Sequence, residues 1–269
     1  MPKTILITGS TDGIGLETAR MLISAGHKVL LHGRNATKLE NVKKSLSALA
    51  GEGHVESYVA DLSRMTDVEA LAEEVAEKHA QLDVLINNAG VYSTSNPITA
   101  DGLDVRFVVN AIAPYLLTQK LLPHLNPSGR VINLSSAAQS PVNVNALTGQ
   151  VKLSDSAAYA QSKLAITMWS RSLALSLKDK GPAIIAVNPG SMLGSKMVKE
   201  AYGVAGGDIR IGAEILARAA LSDEFAAASG QYFDNDRGQF ASPHPDALNP
   251  QKSEEVVQTI RKLIELCKA

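Results

Sequence analysis

In the stretch DSAAYAQSKL, residues 155–164, Tyr159 and Lys163 stand four positions apart. On a helix such positions share one face, with Cβ atoms about 5–6 Å apart, so a phenol and an ammonium would be neighbours. A nearby cation favours the phenolate and lowers a tyrosine pKa from about 10 toward working pH, which makes a proton donor and acceptor. The spacing also fits a half-buried core tyrosine beside a solvated lysine, so other stretches have to decide between the two.

A second chemical signal is TGSTDGIG, residues 8–15, where Gly9, Gly13 and Gly15 follow G-x-x-x-G-x-G directly after an apolar run. Glycines between a strand and a helix permit a tight turn and let backbone N–H groups at the helix N-terminus approach a pyrophosphate. The second apolar run ends in His32-Gly33-Arg34, with no acid before Glu40 to bond a free ribose 2′-hydroxyl. A permanently charged, planar Arg34 suits a 2′-phosphate, with Lys38 one turn on, so NADP(H) is expected in preference to NAD(H).

These residues need elements to position them. Aliphatic runs recur at 4–8, 28–32, 54–60, 82–87, 130–135 and 183–188. Most lack strict alternation, as strands buried on both faces of a parallel sheet do. Between them, GLETARMLISA, TKLENVKKSLSAL, TDVEALAEEVAEKH and SAAYAQSKLAITMWSRSLALSLK carry helical apolar stripes, and Gly26 and Gly181-Pro182 stop helices before the second and sixth runs. The alternation predicts a single α/β domain over 1–269, a Rossmann-type doubly wound sheet of about seven mostly parallel strands with helices on both faces. Residues 191–250 are less regular and read as a substrate-side loop, a short helix and a last strand near 229–233, followed by a terminal helix near 251–267.

Composition narrows the function. Among 269 residues, 26 basic and 27 acidic side chains leave a formal charge of −1, which gives no reason to expect nucleic acid or an anionic membrane as partner. The single cysteine, Cys267, excludes an intramolecular disulfide and fits a reducing, cytoplasmic setting. No run reaches the roughly 18 apolar residues of a membrane helix, and MPKTILITGS enters a strand without a signal peptide, so no membrane anchor is expected. His27, His32, His54, His79, His124 and His244 share no metal-ligand spacing, and no metal is expected.

At the end of the fourth run stands Asn87-Asn88-Ala89-Gly90, and Asn188-Pro189-Gly190 follows the sixth. With TGSTDGIG, Asp61, the pair Ser135-Ser136 and YAQSK, in that order, the chain resembles the short-chain dehydrogenase/reductase family. The resemblance implies NADP(H)-dependent hydride transfer to or from a small-molecule carbonyl or alcohol. It casts Tyr159 as the acid/base, Lys163 as the group that lowers its pKa and holds the nicotinamide ribose, Ser136 as a donor to the reacting oxygen, and Asn110 as the anchor of a water linking Lys163 to solvent. The cofactor-binding set it implies is Gly9, Thr11, Gly13, Ile14, Gly15, Arg34, Asp61, Leu62, Asn88, Ala89, Gly90, Tyr159, Lys163, Pro189, Gly190 and Ser195. Asp61 would bond the adenine amino group beside the Leu62 backbone; a turn cap through DLSR is the alternative.

Two departures stand out. Tyr159 follows Ser136 by 159 − 136 = 23 positions, longer than is usual and similar to the retinol-dehydrogenase-like branch. No membrane-anchoring N-terminus of that branch's kind is expected, so a retinoid substrate does not follow from the similarity. Where the family often has a threonine after Pro189-Gly190, Gly194 stands, and Ser195 is left to meet the nicotinamide amide. The G-x-x-x-G-x-G spacing and the short chain beyond residue 188 exclude the extended nucleotide-sugar relatives. A non-catalytic NADP(H)-binding sensor or scaffold is the remaining alternative, although all four catalytic positions are filled.

The helices at 111–125 and 163–177 carry more apolar residues than one sheet face covers. Family members commonly pair these helices across a two-fold axis, so a homodimer or homotetramer is expected with Trp169 near the contact. Cover by residues 191–250 is the alternative.

Overall fold

The computed structural model describes residues 1–50, 54–178 and 180–267. Seven parallel strands and one antiparallel edge strand form a single sheet in the order β3-β2-β1-β4-β5-β6-β7-β8. They are β1 (Thr4–Ile7), β2 (Lys28–Gly33), β3 (Val55–Val59), β4 (Leu82–Asn87), β5 (Leu125–Leu134), β6 (Ala183–Asn188), β7 (Tyr232–Asp234) and β8 (Gln239–Ala241). The helices are α1 (Gly13–Ser24), α2 (Ala36–Ala50), α3 (Met65–Lys78), α4 (Val105–Phe107), α5 (Ala113–Leu121), α6 (Val144–Leu147), α7 (Asp155–Leu177), α8 (Lys196–Tyr202), α9 (Arg210–Leu221) and α10 (Pro250–Leu266).

The aliphatic runs become strands because both of their faces find cover. In β1, Leu6 joins the core beneath α3, α5, α7 and α10, while Ile5 and Ile7 face the core beneath α1, α2 and α9. The order reverses between β1 and β4, which opens a crevice at the carboxyl ends of these strands, the position where open α/β sheets bind ligands.

The sheet is Rossmann-type and mostly parallel, as expected, and its eighth strand arises because the chain turns back after β7 and pairs Phe233 with Phe240. The last strand anticipated near 229–233 is thus followed by a hairpin partner at Gln239–Ala241. Two expectations are corrected. The helix expected over 111–125 is broken into three: a π-turn at Val108–Ile112, then α5, then a 3-10 turn at Leu122–His124.

The second correction concerns the apolar surplus on α5 and α7. Most of it is covered within one chain, while Leu175 stays 60% exposed. Val256, Val257, Ile260, Leu263 and Ile264 of α10 lie in the same buried cluster as Tyr115, Leu116, Ile166 and Trp169, and the Arg261 Nε donates to the Tyr115 hydroxyl at 2.8 Å. Trp169 is fully buried, with its ring edge-on to Tyr115 at 5.5 Å and its indole N–H donating to the Ala111 carbonyl at 3.2 Å. It therefore presents no surface of its own to a second copy. Of the segment 191–250, the alternative cover, Ala247 joins this cluster.

Candidate active site

The glycine turn is locked from three sides. Gly9 has φ +65°, and a Cβ there would stand 2.8 Å from the Ala89 Cα. A Cβ on Gly15 would overlap the Asn88 amide nitrogen and the Gly9 carbonyl. That nitrogen donates to the carbonyls of Thr8 and Gly9, both at 2.9 Å, so Asn88 ties the turn after β1 to the end of β4. The Thr8 hydroxyl accepts from the backbone N–H groups of Asn88 at 3.0 Å and Ala89 at 3.1 Å. Gly33 leaves room for Thr11, whose methyl would stand 2.5 Å from a Cβ there. Gly15 and Gly33 are packing requirements, and Gly9 is a conformational one as well.

His32 completes the lock, a role the sequence reading did not assign to it. The Gly9 N–H donates to its Nδ1 at 3.0 Å, which places the ring proton on Nε2, and Nε2 donates to the Ala60 carbonyl at 3.1 Å. The ring is 3% exposed, and burial pushes its pKa down to about 4 against the opposing effects of the Ala60 carbonyl and the Asp61 charge. A neutral imidazole thus joins the ends of β1, β2 and β3. The other residue missed here is Asp12. Its carboxylate caps α1 by accepting from Gly13 N at 2.8 Å and pairs with the Lys38 ammonium at 2.6 Å, a bond that holds its pKa below the ordinary range. Lys38 is thus engaged with the turn, while Arg34 is exposed just past β2.

Asp61 follows β3, and its Oδ1 accepts from the Ser63 amide at 3.0 Å and hydroxyl at 2.8 Å, the turn cap anticipated as its alternative. Leu62 is buried.

Lys163 rises from α7 into the crevice. It is 4% exposed, its Nζ donates to the Leu134 carbonyl at 2.8 Å, and it lies 5.6 Å from the centroid of the Tyr159 ring. Burial lowers its pKa to about 8, so it is mostly charged at neutral pH. Gly90 brings Asn110 and Lys163 together: a Cβ on it would stand 3.5 Å from Asn110 Oδ1 and 3.7 Å from Lys163 Nζ. Asn110 sits in the π-turn, accepts from the Val91 N–H at 2.8 Å and donates to the Val91 carbonyl and the Ser162 hydroxyl, both at 2.9 Å. Its amide is thus engaged in joining the loop after β4 to α7.

Of the serine pair, Ser135 turns inward to Thr167 at 2.6 Å, while Ser136 is half-buried at the rim. The Ser136 hydroxyl accepts from Ala138 N at 3.1 Å, and its carbonyl accepts from Gln139 Nε2 at 2.8 Å and the Tyr232 hydroxyl at 3.2 Å. The lengthened segment beyond it forms α6 and docks beside Tyr159, through Ser140 N to the Ala160 carbonyl at 3.4 Å and Asn143 N to Gln161 Oε1 at 2.9 Å. From the loop after β4, Tyr92 packs on Tyr159 with ring centroids 5.0 Å apart. Arg106, Asp104, Asp155 and Ser93 form an ionic cluster beside this pair.

On the far side of the crevice, Asn188 donates to Asp234 at 3.0 Å and Asp236 at 2.9 Å, and Asp236 accepts from the Ser191 amide and hydroxyl. Asn235 donates to the Pro189 carbonyl at 2.9 Å, and Gly190 takes φ +122°. Ser195 caps α8, its hydroxyl accepting from Val198 N at 3.2 Å. Its Cβ lies 3.9 Å from where a Cβ on Gly13 would be, which sets Ser195 across the crevice from the glycine turn. No group of His, Cys, Asp and Glu that could hold a metal occurs among the described residues.

Gly9, Gly13 and Gly15 open the turn at a helix N-terminus, next to a buried ammonium and a phenol. That fits a dinucleotide laid over Gly9–Gly15 with its reactive ring toward Tyr159. Retinol dehydrogenase 13 of Homo sapiens is 31% identical over 96% of this chain and 82% of its own length. Retinol dehydrogenase 12 of Bos taurus is 34% identical over 90% and 80% respectively. Among solved structures, an uncharacterised protein from Mycobacterium paratuberculosis superposes with a TM-score of 0.81 at 26% identity, over 98% of this chain and 93% of that one. RhlG of Pseudomonas aeruginosa, in a complex with NADP, superposes with a TM-score of 0.71 at 26% identity, over 88% and 95%. Residues 3–203, from the start of β1 past the Tyr159 helix and the Asn188 loop, match the family model described as short chain dehydrogenase, and to that family the chain belongs.

Proposed function

We propose that the protein is an NADP(H)-dependent oxidoreductase that interconverts a small-molecule carbonyl and its alcohol, with Tyr159 as the acid/base. The observation that carries this reading is Lys163, an ammonium buried to 4% exposure and aimed at the Tyr159 ring from 5.6 Å. Burying a charge without a carboxylate partner is costly, and here a carbonyl oxygen is the bond recorded for the ammonium. Such a cost is explained if the cation acts on the phenol.

When bound, the cofactor supplies the hydride, which leaves orientation and proton transfer to the protein. Tyr159 gives its proton to the oxygen of the carbonyl, and Lys163 stabilises the phenolate that remains. Ser136, at the rim of β5, offers its hydroxyl to the same oxygen. The α1 N-terminus and the glycine turn that Asn88 ties down would hold the diphosphate, Arg34 would bind the 2′-phosphate, and Pro189, Gly190 and Ser195 would line the nicotinamide side. The relatives named for retinol and the NADP complex of RhlG support the reaction class and the cofactor.

The test is turnover of a panel of aldehydes, ketones and quinones, all-trans-retinal included, with NADPH and with NADH. Turnover with NADPH at least about tenfold more efficient than with NADH is expected, since charge-assisted bonds to a phosphate contribute about 1.5–3 kcal/mol. Tyr159→Phe should lose that turnover and keep NADPH binding by fluorescence titration. Near-normal turnover in Tyr159→Phe would refute the assignment.

A further inference from the structure

We infer that Arg106 is a positioning residue for Tyr159, acting through Asp155 to fix the first turn of α7; the inference rests on the acid/base reading above. Arg106 has a side chain only 2% exposed. Its Nε and Nη2 reach the two oxygens of Asp104 at 2.8 and 2.6 Å, and its Nη1 donates to Asp155 Oδ1. Asp104 alone therefore neutralises the guanidinium in the paired geometry that makes its burial tolerable.

Asp155 is not needed for neutrality. Its side chain is 47% exposed, and α7 is already capped by Ser154, whose hydroxyl accepts from Ala157 N at 3.4 Å. What Asp155 adds is a link between places that the chain brings together late. Arg106 lies one turn before Asn110, and Asp155 one turn before Tyr159 on the same helical face. The second oxygen of Asp155 accepts from the Ser93 hydroxyl at 2.8 Å, and the neighbouring Tyr92 packs on the Tyr159 ring. Ser93 and Tyr92 thus close a loop of contacts around the phenol, with Arg106 as its buried anchor. A proton donor held this way keeps its place over the substrate oxygen, and small displacements of reacting groups cost large factors in rate.

Arg106→Gln would test the anchor but leaves Asp104 buried without its partner and endangers the fold, so the decisive variants are Asp155→Ala and Asp155→Asn, which leave the Arg106–Asp104 pair intact. They are compared with the wild type and Tyr159→Phe on the panel carbonyl that the wild type reduces fastest. The expected result for Asp155→Ala is a fall in kcat of about tenfold, NADPH affinity within about twofold, and a larger solvent deuterium isotope effect on kcat as proton transfer becomes limiting. Asp155→Asn, whose amide oxygen can still accept from Arg106 while its NH2 donates to the Ser93 hydroxyl, should lie between it and the wild type. Wild-type kcat and isotope effect in Asp155→Ala would overturn the inference, and so would a kcat loss matched by an equal loss of NADPH affinity and melting temperature. Turnover persisting in Tyr159→Phe would instead overturn the acid/base reading itself, whatever Asp155→Ala does.

Discussion

The two sides of the crevice are built differently. On the β1–β4 side, backbone approaches backbone, Gly9 against Ala89 and Gly15 against the Gly9 carbonyl, and the inward side chains of Thr8, His32 and Asn88 tie the approach down. On the β6–β7 side, the loop from Pro189 to Ile209 hangs from side chains, chiefly Asn188, Asn235 and Asp236. Met192 holds a left-handed φ of +53° there, and Met192, Val204 and Ile211 leave apolar surface exposed. One side is matched to a ligand of fixed shape. The other touches the first where Ser195 and Ile209 approach Gly13, and its exposed remainder can vary, as loops on a fixed scaffold do.

Glycine replacements break this comparison most directly. Gly15→Ala is expected to destabilise the protein by about 3–5 kcal/mol, because its methyl meets a backbone carbonyl and displaces both Asn88 bonds. NADPH affinity should fall with it. Urea denaturation and fluorescence titration check both, and a variant of wild-type stability would show that the lock is loose.

The next effect is smaller and is read by pH. His32 has a pKa of about 4 in the folded chain against 6.5 as its ordinary value, so between these limits the unfolded chain binds the extra proton. Its contribution is fully present above about pH 6.5 and is lost as pH falls toward 4, by about 3 kcal/mol in all. Denaturation at a series of pH values should show this loss in the wild type and a shallower one in His32→Asn.

Gly212→Ala on α9 is expected to have the smallest effect. A methyl there would meet the tips of Leu193 at 2.7 Å and Ile14 at 3.1 Å, both able to turn aside. Helix propensity favours the change by about 1 kcal/mol, which offsets the crowding, so stability should move by less than about 1 kcal/mol. A loss as large as that of Gly15→Ala would erase the distinction between the two sides.

The same contrast explains what the sequence disclosed. The run order and burial on both faces revealed the sheet; Gly9, Gly13 and Gly15 were legible because a tight turn between strand and helix calls for glycine at fixed spacing, and Asn88 and Gly90 came through the family resemblance. Tyr159 and Lys163 were legible from the helical repeat together with the family resemblance. His32 was not, since a buried imidazole between two backbone groups leaves no pattern along the chain. Nor were Asp104, Arg106 and Asp155, which only topology assembles. The β8 hairpin is too short to carry a periodic signal. The surplus of apolar residues on α5 and α7 was read correctly as needing cover, but nothing local says whether that cover is a second chain or α10.

That cover has a consequence in time. Every strand and every residue of the crevice precedes α10, so on the ribosome the crevice half can assemble while the greasy flank formed by Tyr115, Leu116, Ile166 and Trp169 is still bare. Transiently exposed apolar surface is where incompletely folded chains stick to one another, so a chain with α10 undocked presents its stickiest face at this flank.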